Sequence, residues 1–172
     1  QEVELDDLAK AAVGGGRFLP SPPFMHGAGH WIALTAMHGG HTIVLQDEPA
    51  ALNPDDVWRT VEREKISFLL IVGDAFGRPL LDQLAKKDYD LSTLTFMLSG
   101  GAALSASLKA EFLEHLPTLM LIDGVGSSEA GGQLSHVSTK ASGASTGTFT
   151  AGAGSVVLDE ELTKVLEPGH EG

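Results

Sequence analysis

Three apolar runs of strand length, "ISFLLIVG" (66–73), "LTFMLSGG" (94–101) and "TLMLID" (118–123), constrain this chain more than any other feature. An apolar run of this length without alternation is the pattern of a strand covered on both faces. Between the first two lies "DAFGRPLLDQLAKK", a helix with Leu80, Leu81 and Leu84 turned inward and Pro79 expected to distort its first turn. Between the second and third lies "SASLKAEFLEHL", with Leu108 and Phe112 in helical register and Pro117 as a stop. Upstream, "HTIVLQ" has the β-branched character of a strand. The following "NPDDVWRTVEREK" opens a helix on Asn53 as N-cap, Pro54 at the first position and two carboxylates in the first turn. Strand and helix alternate throughout, which predicts an α/β fold: a mostly parallel sheet with right-handed crossovers and helices on both faces.

The flanks are less regular. An acidic first turn (Glu2, Glu4, Asp6, Asp7) precedes "AAVGGGRFLPSPPF", whose glycines and prolines predict a loop or an extended strand. "GHWIALTAMHGG" is apolar nearly all round and predicts a short buried helix. Beyond Gly131, "STKASGASTGTFTAGAG" (138–154) has little to bury and predicts a loop, and "SVVLDEELTKVL" a hairpin edge broken by an acidic turn. Gln1 is not an initiator and "VLEPGHEG" closes on a Pro-Gly turn, so the expectation is one partial domain over 1–172. Its β/α sheet core would occupy 22–137, the Ser/Thr/Gly-rich loop 138–154, and a truncated strand or hairpin 155–172.

Charge narrows the function. With 11 Lys plus Arg against 23 Asp plus Glu, the formal net charge is -12, and the field repels nucleic acid and anionic membranes. An anionic small ligand would need backbone N–H groups or a metal ion to hold it. The chain has no cysteine, which excludes disulfides and thiolate metal sites. No apolar run approaches the roughly 20 residues of a membrane span, and no signal-peptide pattern opens the chain, so a cytoplasmic protein is expected.

In open parallel sheets ligands bind at the carboxyl ends of the strands. "SGGAAL" and "DGVGSSEAGG" fall there, and Gly100 and Gly101 would let a flat ring or a phosphate approach the backbone, unless they simply allow the chain to turn. "GVGSSEAGG" fails as a nucleophile elbow, because Ala130 stands where the last glycine is required. It fails as a phosphate loop of the Walker type for want of a lysine. What remains is Ser128 as a phosphate donor with Glu129 as a magnesium ligand, or a structural turn. His26, His30, His38 and His41 fall within sixteen positions, but "GAG" between the first two is a poor helix for an i,i+4 zinc pair. His38 and His41 are better placed flanking a helix C-terminus and a strand start.

Together, "PPFMHGAG", "SGGAAL" and "DGVGSSEAGG" resemble, in order and spacing, three motifs of the adenylate-forming superfamily: a Pro-aromatic-His-Gly segment, "SGGAPL" and "GYGxTE". The resemblance is to its fatty-acyl-CoA synthetase branch, runs from about Pro22 to the end, and includes "LIVGDAFGRPLLDQL". It implies a two-step reaction in which a carboxylate attacks the α-phosphate of ATP to give acyl-adenylate and pyrophosphate, and the CoA thiol then displaces AMP. No covalent enzyme intermediate forms, so catalysis rests on positioning and charge neutralisation. ATP, Mg2+ and CoA, with a fatty carboxylate as substrate, are the small molecules the resemblance implies.

Residue by residue, the resemblance assigns Glu129 to magnesium and Ser128, where the family has Thr, to a phosphate oxygen. Gly100, Gly101 and Ala102 would line the adenine and ribose pocket, with Asp123 and Gly124 at the adenine edge and Val125 and Gly126 beside them. Val125 replaces the aromatic that stacks on adenine in the family. His26 would stand between the acyl pocket and the α-phosphate; Gly73 and Trp31 would border the acyl tunnel. The family's Lys-bearing phosphate loop would precede Gln1, while its ribose-binding Asp and catalytic Lys would follow Gly172. The 172-residue chain alone is therefore expected to be inactive. The alternative is a noncatalytic module that holds an adenine nucleotide in the same two glycine segments.

Overall fold

The computed structural model describes residues 5–152 and 154–166. Glu2, Glu4 and the closing Pro-Gly turn lie outside the described residues. The elements run α1 (Leu5–Ala11), β1 (Arg17–Pro20), α2 (Gly27–His38), β2 (Thr42–Ile43), α3 (Pro54–Glu64), β3 (Phe68–Ile71), α4 (Gly73–Leu84), β4 (Phe96–Gly100), α5 (Ala106–His115), β5 (Met120–Ser127), β6 (Gly131–Ser138) and β7 (Thr150–Ala151). One seven-stranded sheet has the order β2-β1-β3-β4-β5-β6-β7. The pairings from β2 through β5 are parallel; β6 and β7 add on antiparallel. The mixed α/β architecture with a largely parallel sheet is the one the strand-length apolar runs predict. No helix among the described residues is long and apolar enough to cross a membrane.

Side chains alternate across a strand, so each central strand serves two faces. On one face Leu69, Ile71, Met97 and Leu121 pack with Trp58 and Val61 of α3, Leu80 of α4 and Phe112 of α5 into the main core. Complete burial of a side chain such as Phe112 contributes about 1.5–3 kcal/mol. On the other face lie Leu70, Leu98 and Gly124, towards α2. The continuous apolar run of β3 is explained by this double duty: Leu69, Leu70 and Ile71 are all buried.

Local chemistry sets the helix boundaries. The Asn53 side chain accepts a hydrogen bond from the Asp56 N–H at 3.3 Å and Pro54 occupies the first turn, so α3 starts where its cap predicts. Trp58, fully buried, donates its indole N–H to the Leu80 carbonyl at 2.9 Å and ties α3 to α4. Pro79 sits in the interior of α4 rather than its first turn, and the helix continues past it to Leu84. Gly73 begins α4 at φ +50; a Cβ there would stand 2.5 Å from the Ala103 carbonyl oxygen, so this position admits only glycine without distortion.

The middle of "AAVGGGRFLPSPPF" takes the strand alternative: β1 is inserted between β2 and β3, where Phe18 stacks on Phe68 at 4.5 Å and on His41 at 4.7 Å. Three other expectations change. Of "HTIVLQ" only Thr42 and Ile43 join the ladder. Helix α2 is buried only through Gly29, Ala33 and Ala36; Trp31 is 47% and Met37 62% exposed. Its apolar character is not that of a core helix, because Trp31 and Ile32 face a cavity. Finally, "DGVGSSEAGG" is not a loop after a strand but a hairpin: β5 continues to Ser127, a turn carries Ser128–Ala130, and β6 returns from Gly131. Towards the end, "SVVLDEELTKVL" folds as a small turn outside the sheet. It is held by a Leu158–Val165 bridge and by Asp159 accepting from the Thr163 and Lys164 N–H groups at 2.7 and 3.1 Å.

Gly73→Ala should lower stability by about 1–3 kcal/mol, read as a fall in the urea midpoint at unchanged slope. A second expectation concerns acid. Hydrogen bonds from Lys65 and Ser92 hold the Asp90 carboxyl well below the usual carboxylate range, and Tyr89 with Lys87 do the same for Asp55. A depressed folded-state pKa stabilises above the unfolded value, about 3.9 for Asp, and that contribution is lost as pH falls through the folded value. Asp90→Asn should therefore lower the urea midpoint at pH 7, with the gap to wild type narrowing steadily below about pH 4; a gap independent of pH would contradict this.

Candidate functional site

A cavity of about 800 Å³ opens at the carboxyl ends of β3, β4 and β5, on the face that α2 partly covers. Its two halves differ in chemistry. Trp31, Ile32, Leu70, Val72, Phe76 and Leu98 form an apolar wall. Gly100, Gly101, Gly124 and Gly126 form a bed of bare backbone. Gly100 and Gly124 are ladder partners, so two strands lie side by side without side chains between them and the cavity. A Cβ at Gly100 would meet nothing closer than the Gly124 carbonyl at 3.5 Å, so the space above it is open. A flat ring can reach the strand backbone there.

The hairpin carries the polar end. A bulge falls between Val125 and Gly126, and a Cβ at Gly126 would lie 2.2 Å from the Gly131 carbonyl oxygen, so the two strands meet backbone to backbone at the neck. Ser127 Oγ accepts from the Ala130 N–H at 3.3 Å and holds the tip. Ser128 borders the cavity; its Oγ would be 3.3 Å from a Cβ on Gly27, at the start of α2. Glu129 is exposed on the tip. Neither the Ser128 hydroxyl nor the Glu129 carboxylate is engaged in a hydrogen bond with the described residues.

The structure brings His26, Trp31, Gly100, Gly101, Gly124, Val125, Gly126 and Ser128 to this one cavity. Glu129 stands next to it on the tip. Ala102 and Gly73 do not line it: Gly73 packs under the Ala102–Ala103 turn and donates its N–H to Ser99 Oγ at 3.1 Å, while its neighbours Val72 and Phe76 reach the cavity. Asp123 also points elsewhere. Alternation along β5 turns it to the face opposite Gly124, where its carboxylate meets Lys109 Nζ at 2.5 Å. The imidazoles are dispersed in role. His41 Nδ1 accepts from the Gly16 N–H at 3.1 Å, and His30 stands edge-on to Trp31 at 6.0 Å. Among the described residues no three His, Cys, Asp or Glu side chains converge as metal ligands.

Sequence reasoning missed Phe76, Ile32 and Leu98 on the apolar wall, since apolar helix and strand residues carry no mark of facing a cavity rather than a core. It also missed Lys109, which is completely buried. A signal existed: Lys109 precedes Leu113 by four residues and Phe112 by three, which places it on the inward side of α5.

The family model described as AMP-binding enzyme matches residues 4–172. The medium-chain acyl-CoA ligase Mig of Mycobacterium avium is 41% identical over 170 residues, covering 98% of this chain and 31% of the relative. A medium/long-chain-fatty-acid–CoA/3-oxocholest-4-en-26-oate–CoA ligase of Mycobacterium marinum is 43% identical over 169 residues, covering 96% of this chain and 29% of the relative. The chain thus spans about a third of the length of these curated relatives. Among solved structures, PA1221, a nonribosomal peptide synthetase protein containing adenylation and PCP domains, superposes with a TM-score of 0.69 at 26% identity, over 90% of this chain and 27% of that one. The amide bond synthetase McbA of Marinactinospora thermotolerans gives 0.63 at 28% identity, over 79% and 26%. With the family model matched along nearly all its length and ligases of this kind at over 40% identity, the chain belongs to the AMP-binding enzyme family, in the fatty-acyl-CoA ligase branch of the adenylate-forming superfamily.

Proposed function

We propose that this chain supplies the adenine bed and part of the acyl pocket of a cytoplasmic, ATP-dependent acyl-CoA synthetase acting on a fatty carboxylate. The observation that carries the proposal is the juxtaposition, in one cavity, of an apolar wall with a side-chain-free backbone bed. An acyl-adenylate needs both at once: a surface for the alkyl chain and a flat slot for the purine. In this reading the carboxylate oxygen bonds to the α-phosphorus of ATP as the bond to pyrophosphate breaks. The CoA sulfur then bonds to the acyl carbon as AMP leaves. The chain's residues orient the reactants: Gly100, Gly101, Gly124 and Gly126 receive the nucleoside, Trp31, Val72 and Phe76 the alkyl chain, and His26 stands where the two halves meet.

The medium-chain and cholestenoate names of the relatives fit a wall of this size and apolar character. A magnesium ion fits only as a companion of the nucleotide. Glu129 offers a single carboxylate, and a hard cation would draw its other oxygens from phosphate and water. When bound, it would neutralise phosphate charge. Ser128 would donate its hydroxyl to a phosphate oxygen. By the family pattern the phosphate loop and catalytic Lys are not among these 172 residues, so the chain alone should release no pyrophosphate from ATP and a fatty acid.

Binding can be read from the chain's own tryptophans. Trp58 is fully buried and Trp31 half exposed at the cavity, so acrylamide quenching reports Trp31. Saturable protection of Trp31 by AMP or by a nonhydrolysable acyl-adenylate analogue is expected; no protection at millimolar ligand would refute the site. Gly100→Leu fills open space at an ordinary backbone conformation, so it should weaken AMP binding at least about tenfold while leaving the urea midpoint nearly unchanged. Glu129→Gln should weaken ATP binding more with magnesium than without it, and equal losses in both conditions would count against the metal role.

A further inference from the structure

Lys109 is the least expected group in the core. A fully buried ammonium loses its hydration and is tolerated only when paired and hydrogen-bonded, and apolar residues of similar volume usually hold a core as well. Its two partners are specific. Nζ donates to Asp123 Oδ2 at 2.5 Å and to the Ser145 carbonyl oxygen. Asp123 directly precedes Gly124 of the cavity bed, and is the ladder partner of Ser99, which directly precedes Gly100. Ser145 belongs to the segment between β6 and β7. Its own hydroxyl is 2.9 Å from His136 Nε2, and Thr146 Oγ1 reaches the Leu104 carbonyl at 3.4 Å. One ammonium therefore joins α5, the strand beneath the bed and the Ser/Thr/Gly-rich segment behind it.

We propose that Lys109 is a positioning residue for the nucleotide. It fixes β5 from the face opposite the cavity, so that Gly124 to Ser128 keep their height and register. It also pins the 142–146 segment against the back of the same strand. This rests on the adenine-bed reading above. Within 142–146 Ala144 is the residue that packs against the main core, and a single methyl buries little, so a directional tether adds what that small contact lacks. A charged donor is suited to that task because its hydrogen bonds are short and oriented. The Lys109 ammonium also sets a positive charge against the Asp123 carboxylate behind a site that receives phosphates, in a chain of net charge -12.

Two measurements on the 172-residue chain test this. Native-state hydrogen exchange of Lys109→Met should be faster at residues 123–128 and 142–146 and unchanged in α3 and β3. AMP titration should show about tenfold weaker binding for Lys109→Met, and the double variant Lys109→Met/Asp123→Asn should bind no more weakly than the weaker single variant, because both act through one contact. Exchange that rises evenly over the whole sheet, or losses that add in the double variant, would overturn the proposal and leave the pair a stability element only. Should Lys109→Met not fold, Lys109→Arg keeps the charge but changes its reach. Faster exchange at the same two segments is then expected, and exchange identical to wild type would overturn the proposal. Absence of AMP binding by the wild-type chain would refute the nucleotide site itself, while the exchange pattern would still decide whether Lys109 is the tether.

Discussion

The strict alternation of side chains along β3, β4 and β5 is the constraint on which the rest depends. Each strand must present one row to the helices α3, α4 and α5 and the other row to a cavity. Leu69 and Ile71 go one way, Leu70 and Val72 the other; Met97 and Ser99 oppose Leu98 and Gly100; Leu121 and Asp123 oppose Gly124. A slip of one residue in any strand would carry leucines onto the bed and glycines into the core. The main core and the cavity lining are therefore two sides of one register, and a shift of that register alters both.

This explains which residues line the cavity. Moving across the sheet, the row facing the cavity changes from apolar side chains to bare backbone: Leu70 and Val72 at the end of β3, Leu98 then Gly100 on β4, and Gly124 and Gly126 on β5. The wall and the bed are successive stretches of the same row across neighbouring strands. The opposite row changes from apolar to polar over the same distance, ending in Ser99 and Asp123, both buried. Those two polar ends are satisfied from below, Ser99 by the Gly73 N–H and Asp123 by Lys109.

How much of this could be read beforehand follows from where each signal is stored. Strand β3 was legible because burial on both faces writes itself as a continuous apolar run, β4 and β5 because apolar residues face both the core and the partly open cavity side, and α3 because Asn53 and Pro54 are local start signals. The sequence of β1 fits a loop as well as a strand, since its place depends on Phe18 stacking on Phe68 and on His41, contacts made by distant residues. The second half of β5 and the start of β6 are nearly all Gly, Ser and Gln, without strand propensity; pairing across the hairpin alone makes them strands. Helix α2 was legible as a helix but not in its surroundings, because periodicity does not distinguish a cavity from a core. The Lys109–Asp123 pair joins residues whose partnership is fixed only when α5 crosses back over the sheet.

The neck at Gly126 and Gly131 bears on how the tip behaves as a mechanical part. With the two backbones in direct approach there, and Ser127 closing the turn above, no side chain lies between the strands to act as a compressible spacer. Ser128 and Glu129 thus stand at the end of a paired two-strand stem rooted in the sheet rather than on an unpaired loop. Where the tip stands is set by the pairing of β5 with β6, and through β6 by its pairing with β7.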